Sequence, residues 1–407
     1  MKQFRSTLLA LALVCSALLF AAGCSDNKPK EAPKAAEAPK TEAPAPAAAP
    51  AAAAAVLKVG TLSPLTGPYA ADGNDIANGA RAAVEVIKDQ GGIPGFKDIV
   101  VQAEDSNCDP RQAVAAANKL INEKVPVVVG AYCSSATIPA SEVLAEAKIV
   151  MITPASTNEK VTERGLKYMF RTCGRDDDQS KAAISFIKNQ LKVDTVFIVD
   201  DKTTYSQGLA DNLEKLAGAQ GVKVLGHEHV NQGDKDFSAV LTQVKAANPA
   251  VFYVSLQNSA SGALMFIQAK RMGITAKLLA QDAVYHPQLM EIAKADAEGA
   301  FLTFGYTDKE TPAYKAFYAK YQPKYGEPGA YSTYAYDSAM AYLMAVKAAG
   351  STDPDKVHAA LLSLEFQGAS KKIDYLENGD SGSNYIIQMV KDGKFTNYWN
   401  PETGTLY

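Results

Sequence analysis

Histidine, cysteine and tryptophan are scarce in this chain: four, five and one among 407 residues. So few imidazoles and thiols leave little room for base, nucleophile or metal-ligand chemistry. Charge of one sign is also missing. The formal net charge is −3, and no basic patch stands out, which argues against a nucleic-acid partner. Beyond the N-terminal segment, no apolar stretch reaches the roughly 20 residues that a membrane-crossing helix needs.

The N-terminus carries the first positive signal. Lys2 and Arg5 precede an apolar run from Leu8 to Phe20, then small residues lead into Cys24. Positive, apolar and small segments in that order make a secretory signal. With Cys directly after them, residues 1–23 resemble a bacterial lipoprotein signal peptide, and Cys24 the residue that takes the lipid. Residues 24–55 are almost all Ala, Pro, Lys and Glu without apolar periodicity, and so read as a disordered spacer. The chain is therefore expected to be exported and lipid-anchored, in the periplasm or on the outer face of the cytoplasmic membrane. Of the five cysteines, Cys15 falls in the signal and Cys24 at the lipid site. A disulfide among Cys108, Cys133 and Cys173 fits an oxidising compartment.

Residues 56–407 exceed the roughly 250–300 residues that one core usually holds, so two lobes are expected. Val- and Ile-rich runs read as strands at Leu57–Leu62, Ile99–Ala103, Val125–Ala131, Ile149–Pro154, Thr195–Asp200, Lys223–His229, Val251–Leu256, Lys277–Ala280 and Ala300–Phe304. Amphipathic patterns such as Asp75–Asp89, Arg111–Glu123, Asp178–Leu191 and Gln207–Ala219 separate them. Apolar strands alternating with helices predict an α/β fold of parallel sheets covered on both faces. The tail is more helical, at Thr311–Tyr325, Thr333–Ala349 and Asp353–Leu364, with a closing β segment near Tyr385–Val390. This breaks an eight-fold barrel pattern and favours two doubly wound lobes. The expected division is 56–175 with about 306–370, against 176–305 with about 371–407.

In open α/β sheets, ligands sit at the carboxyl ends of strands. There Cys133-Ser134-Ser135 ends a buried strand and opens a helix. Ser134 or Ser135 is expected to cap that helix, with Pro139 in its first turn. Such an N-terminus attracts an anion, although ordinary capping explains the same residues. The next strand ends Thr153-Pro154-Ala155-Ser156-Thr157 and again places hydroxyls at the edge, either for a ligand or for a turn.

Several stretches together resemble one family. They are Cys108-Asp109-Pro110-Arg111-Gln112-Ala113-Val114, Cys133-Ser134-Ser135, Met151-Ile152-Thr153-Pro154-Ala155, Arg171-Thr172 with Asp178-Gln179, Lys202 with Tyr205, and Gly233-Asp234-Lys235-Asp236-Phe237. In order and spacing they are similar to the leucine/isoleucine/valine-binding proteins of bacterial ABC importers, which have the type I periplasmic-binding fold. The resemblance covers nearly all of the chain after the spacer. It implies a disulfide between Cys108 and Cys133. It implies a ligand carboxylate held by Ser134 and by the Thr157 N–H, and an ammonium held by the Ala155 carbonyl and the Thr157 hydroxyl. Asp282 is placed as the acidic partner of that ammonium, Tyr205 as an aromatic of the second lobe, and Asp176 as a lesser candidate for the same charge. Two hinged lobes, about three crossovers, an amino-acid ligand, an ABC permease partner, a monomer and no cofactor are implied as well. The sequence departs from the family in the side-chain pocket. Tyr69 and Asp72 follow the Gly67-Pro68 turn, Leu256-Gln257-Asn258 replaces a usual Tyr, and Asp282 replaces a longer Glu. A branched-chain amino acid is the first expectation. An amide, a polar amino acid or a small aromatic acid is the alternative, as is delivery to a sensor instead of a permease.

Rival chemistry is thin. Cys133 at a strand-to-helix turn suggests a nucleophile only if its thiol is free and has a base nearby. His227 and His229 alternate along a strand and share a face, but two imidazoles without a third ligand read as a solvated strand edge. Gly91-Gly92-Ile93-Pro94-Gly95 follows a helix and reads as a stop and turn rather than a phosphate loop. Cys173 reads as a small buried apolar residue.

Overall fold

The computed structural model describes residues 55–407. The signal segment, Cys24 and all but the last residue of the spacer lie outside the described residues.

Two sheets of the same winding organise the chain. The first contains β1 (Ala55–Ser63), β2 (Phe96–Asp105), β3 (Val127–Gly130), β4 (Val150–Thr153) and β5 (Met169–Arg171), interleaved with α1 (Ala70–Asp89), α2 (Pro110–Asn122) and α3 (Ser134–Glu146). Its order is β2-β1-β3-β4-β5, all parallel. After a first crossing, α4 (Asp176–Ser185) starts the second half. It continues through β6 (Thr195–Asp200), α5 (Thr204–Ala219), β7 (Lys223–His229), α6 (Ser238–Ala247), β8 (Val251–Ser255), α7 (Ser259–Arg271), β9 (Lys277–Ala280), α8 (Gln288–Ala293) and β10 (Phe301–Gly305). These strands repeat the first winding as β7-β6-β8-β9-β10.

The chain then returns to the first half with α9 (Pro312–Tyr325), α10 (Ser332–Ala349), α11 (Pro354–Leu362) and the hairpin β11 (Glu365–Gln367) and β12 (Lys372–Asp374). It crosses a third time into β13 (Tyr385–Lys391), β14 (Lys394–Asn400) and β15 (Thr405–Leu406), which extend the second sheet antiparallel beyond β10. Of these strands, only the first was legible as a β segment in the sequence. Helix α4 also ends sooner than its apolar pattern predicts, because Phe186–Gln190 form a π turn.

Burial explains the winding. All four residues of β3, Val-Val-Val-Gly, are buried, as a parallel strand covered on both faces requires. In the second sheet the two-residue period sorts one apolar run into two cores. Phe197, Val199, Phe252 and Val254 pack on one face, and Val196, Ile198, Val251 and Tyr253 on the other. Helix α10 packs along α1 in the first core, which also takes in Ile373 and Tyr375. No described helix is long and apolar enough to cross a membrane.

Candidate functional site

In each sheet the chain leaves the first strand in one direction and returns on its other side. The carboxyl ends of β1 and β3, and those of β6 and β8, are therefore points where helices diverge and leave a crevice. The loops at these points, with those after β4, β5 and β9 beside them, carry the sequence-predicted residues.

The wall from the first sheet is built by buried hydroxyls. The Thr153 hydroxyl donates to the Ala131 carbonyl at 2.9 Å, and the Ser156 hydroxyl donates to the carbonyls of Ala131 (3.1 Å) and Tyr132 (3.0 Å). Thr137 Oγ1 lies 2.6 Å from Ser156 Oγ and accepts from the Ala131 N–H at 3.0 Å. These bonds lock the β3–α3 turn to the loop after β4. Gly130 is required at the bend: its φ is +150°, and a Cβ there would lie 2.0 Å from the Leu62 carbonyl oxygen. Arg171, fully buried, donates to the carbonyls of Thr157 (2.9 Å) and Asn158 (2.8 Å) and forms an ion pair with Asp380 at 2.6 Å. It gathers the carbonyls of this loop on one side. In the sequence Arg171 stands only within a family-like stretch, and nothing local announces this role.

Helix α3 begins differently from the expectation. Its N-cap is Cys133, which offers no side-chain cap, so neither serine caps the helix. Pro139 is the sixth helical residue, in the second turn rather than the first. The first amides of α3 therefore point out of a buried strand end without a side-chain acceptor from the cap. The Ser134 hydroxyl, also buried, accepts only a long 3.4 Å bond from the Asn158 N–H. Cys133 is bonded to Cys108, with a Cα–Cα separation of 5.4 Å, so its sulfur is no thiolate and the nucleophile reading falls.

Below this turn lies Thr157, joined by its carbonyl to the Asp176 N–H at 3.0 Å. Both side chains are fully buried. The Thr157 hydroxyl and both Asp176 carboxylate oxygens make no hydrogen bond among the described residues. Burial, then the negative charges of Glu159 and Asp282, push the Asp176 carboxyl well above the usual range, while the neighbouring Thr157 hydroxyl, too far for a formed hydrogen bond, and the Arg171 charge pull it partly back. Ala155 is buried beside them, and its N–H bonds to Thr153 Oγ1 at 3.3 Å.

The second sheet contributes Tyr205 from the first turn of α5 and Asp282 from the loop after β9. These two touch. Asp282 accepts from the Tyr205 hydroxyl, from Gln179 Nε2 at 3.0 Å and, at 3.4 Å, from the Tyr331 hydroxyl. Burial raises its carboxyl, and the Tyr205 and Gln179 bonds pull it partly back. The group expected to be the main cation partner is thus held by protein donors, whereas the lesser candidate, Asp176, accepts no formed hydrogen bond among the described residues. Gln179 stood in the sequence only within a family-like stretch, without a role, and Tyr331 was missed. Gln179 lies one turn after Asp176 on α4, a spacing that the sequence shows. Tyr331 comes from the distant N-terminus of α10, which nothing local announces.

Tyr132 and Tyr69 close the crevice from above. The Tyr132 hydroxyl donates to the Gln257 carbonyl at 3.2 Å, its ring meets Tyr331 edge-on at 5.4 Å, and Tyr69 lies 6.1 Å from it. Gln232 donates to the Tyr69 hydroxyl, and Asn158 Nδ2 to the Thr204 carbonyl at 3.2 Å, so three bonds tie the two sheets' loops together. Buried Asp72 is raised to about 8 by burial and by Asp75, with the Tyr132 hydroxyl acting against both. Gln257 lies at the crevice through its backbone, while the Leu256 side chain packs in the second core and does not line the pocket. Cys173 is a free, buried thiol.

Comparison with known proteins agrees with this architecture. Residues 56–394 match the family model for periplasmic binding proteins. An amino acid binding protein of Pseudomonas aeruginosa is 40% identical over 342 residues, covering 83% of this chain and 91% of that one. A leucine-, isoleucine-, valine-, threonine- and alanine-binding protein of the same organism is 34% identical over 325 residues, covering 80% and 87%. The crystal structure of the leucine-binding protein LivK of Thermotoga maritima superposes with a TM-score of 0.78 at 30% identity, covering 85% of this chain and 99% of that one. With two repeated windings, a crevice where they switch and a family match across both, this chain belongs to the periplasmic binding proteins.

Proposed function

We propose that this protein captures an α-amino acid between its two halves and delivers it to an ABC permease. The observation that carries the reading is the buried pair of Thr157 and Asp176, whose hydroxyl and carboxylate oxygens form no hydrogen bond among the described residues. An unpaired buried carboxylate is costly, and an ammonium arriving beside it relieves that cost through charge-assisted hydrogen bonds. The Ala155 carbonyl and the Thr157 hydroxyl complete the ammonium's set. The ligand carboxylate goes to Ser134 and the first amides of α3, where the helix dipole favours a negative charge. Tyr205 and Asp282 form the opposing wall, with Asp282 acting at longer range through its charge.

The two bodies are 56–175 with about 306–375, and 176–305 with about 376–407, the last boundary being set a few residues beyond the expected 370 by the first-core packing of Ile373 and Tyr375. They hinge about the three crossings, and ligand favours the closed form because only that form offers both walls. The domain is held at the membrane by a lipid on Cys24 and a spacer, and acts as a monomer without enzymatic activity.

The side-chain pocket is assigned to a branched-chain amino acid, as the 34% identical leucine-, isoleucine-, valine-, threonine- and alanine-binding relative supports. A polar amino acid is the second reading, favoured by Asp72, whose raised carboxyl offers a proton donor or acceptor beside Tyr132. A thermal-shift screen over amino acids, amides and small carboxylates tests the reading, since a ligand that binds only the folded state raises Tm. Leucine, isoleucine or valine should give the largest shifts. Shifts from simple carboxylates alone would overturn it.

A further inference from the structure

The two histidines set aside as a strand edge acquire a third partner in the fold. Strands β6 and β7 pair in parallel with Ile198 opposite His227 and Asp200 opposite His229. Residues opposite one another in a sheet face the same way, and every second residue of a strand shares a face. Asp200, His227 and His229 therefore converge on one side of this sheet edge. Asp200 Oδ2 lies 2.8 Å from His227 Nε2 and 2.6 Å from His229 Nδ1. We propose that Asp200, His227 and His229 form a binding site for a divalent transition-metal ion of the zinc type.

Three features distinguish this cluster from a chance contact. First, the ligand atoms of all three residues lie within 4.8 Å of one another. A tetrahedral zinc site with bonds of about 2.0–2.2 Å separates its ligand atoms by about 3.3–3.6 Å, so the two Asp200 contacts open by about 0.5–1 Å to admit the ion. Second, the ligands are oriented by their other atoms. Glu214 on α5 holds His227 Nδ1 at 2.8 Å, leaving Nε2 for the metal, and the Lys202 N–H holds Asp200 Oδ1 at 2.7 Å, leaving Oδ2. A carboxylate behind a ligating imidazole is the usual outer support of a metal site. Third, access is graded. The Asp200 side chain is fully buried, that of His227 is 10% exposed and that of His229 38% exposed, so a fourth position opens to water beside His229. Asp211 and Glu214 form a second cluster around His227 and strengthen the negative field. Two imidazoles and one carboxylate suit zinc, nickel or copper and not magnesium.

The test uses the full chain without an added histidine tag, stripped by a chelator and titrated with zinc chloride in a calorimeter. One saturable zinc per chain is expected, unchanged by excess magnesium. His229→Gln, at a half-exposed position where folding should be unaffected, should weaken zinc at least tenfold, and Glu214→Gln about tenfold. Far-UV circular dichroism matching the parent confirms the fold of each variant. Absence of zinc binding by the parent, or parental affinity in His229→Gln, would overturn the assignment.

Discussion

The turn that opens α4 and the loop that follows β9 each bury an aspartate in the crevice. Their surroundings differ. Asp282 is met by Tyr205, Gln179 and Tyr331, whereas both oxygens of Asp176 lack a donor. A buried carboxylate that is already bonded is part of the architecture; one left without hydrogen bonds is, in the proposed reading, the seat for a cation. The contrast also assigns opposite energetic roles to two residues of the same type. Removing Asp282 strands its donors, whereas removing Asp176 relieves an uncompensated desolvation when no ligand is present.

This comparison can be broken most sharply at Asp176. Asp176→Ala should cost about 2–5 kcal/mol of amino-acid binding, the usual loss when one partner of a buried charge pair is deleted, as read by calorimetry. The Tm of its ligand-free form should stay level or rise. Asp282→Ala should do the reverse to the ligand-free protein, lowering its stability by about 1–3 kcal/mol in urea titrations because the Tyr205 hydroxyl and the Gln179 amide lose their acceptor. Ser134→Ala should weaken the ligand by about 0.5–1.5 kcal/mol without changing stability, as expected of one hydrogen bond to a carboxylate end also served by backbone amides.

A smaller effect concerns Asp72. Its carboxyl is raised from 3.8 to about 8, so the folded state holds this proton more tightly than the unfolded one. Stability from this group is therefore full below pH 4 and is lost as pH rises toward 8. Asp72→Asn should flatten that part of the stability profile of the ligand-free protein; an unchanged slope between pH 5 and pH 8 would contradict the raised value.

How far the sequence could be read follows the range of each signal. Strand and helix alternation is local, and so were the hydroxyls at the strand ends: Ser134 and Thr157 fall where the reading put them. The cap of α3 was misjudged by one residue because Cys133, not a serine, takes the extended position before the helix. The bonded state of Asp282 was not legible because its donors lie 77 and 103 residues away, on α5 and α4. The His227 and His229 pair looked incomplete because Asp200 joins it only through the register of two strands, which no local pattern encodes. The antiparallel strands β14 and β15 were missed because β14 buries only Trp399 and has no continuous apolar run, and β15 is an exposed edge of two residues.

The central claim is that the bare carboxylate of Asp176 receives the ligand's ammonium. Isothermal calorimetry on the parent and on Asp176→Asn, each titrated with leucine and with 4-methylpentanoic acid, its counterpart without the amine, tests it directly. The account predicts that Asp176→Asn loses most of its affinity for leucine while its weak affinity for the acid is unchanged or improved. Equal leucine affinity in parent and variant would contradict it.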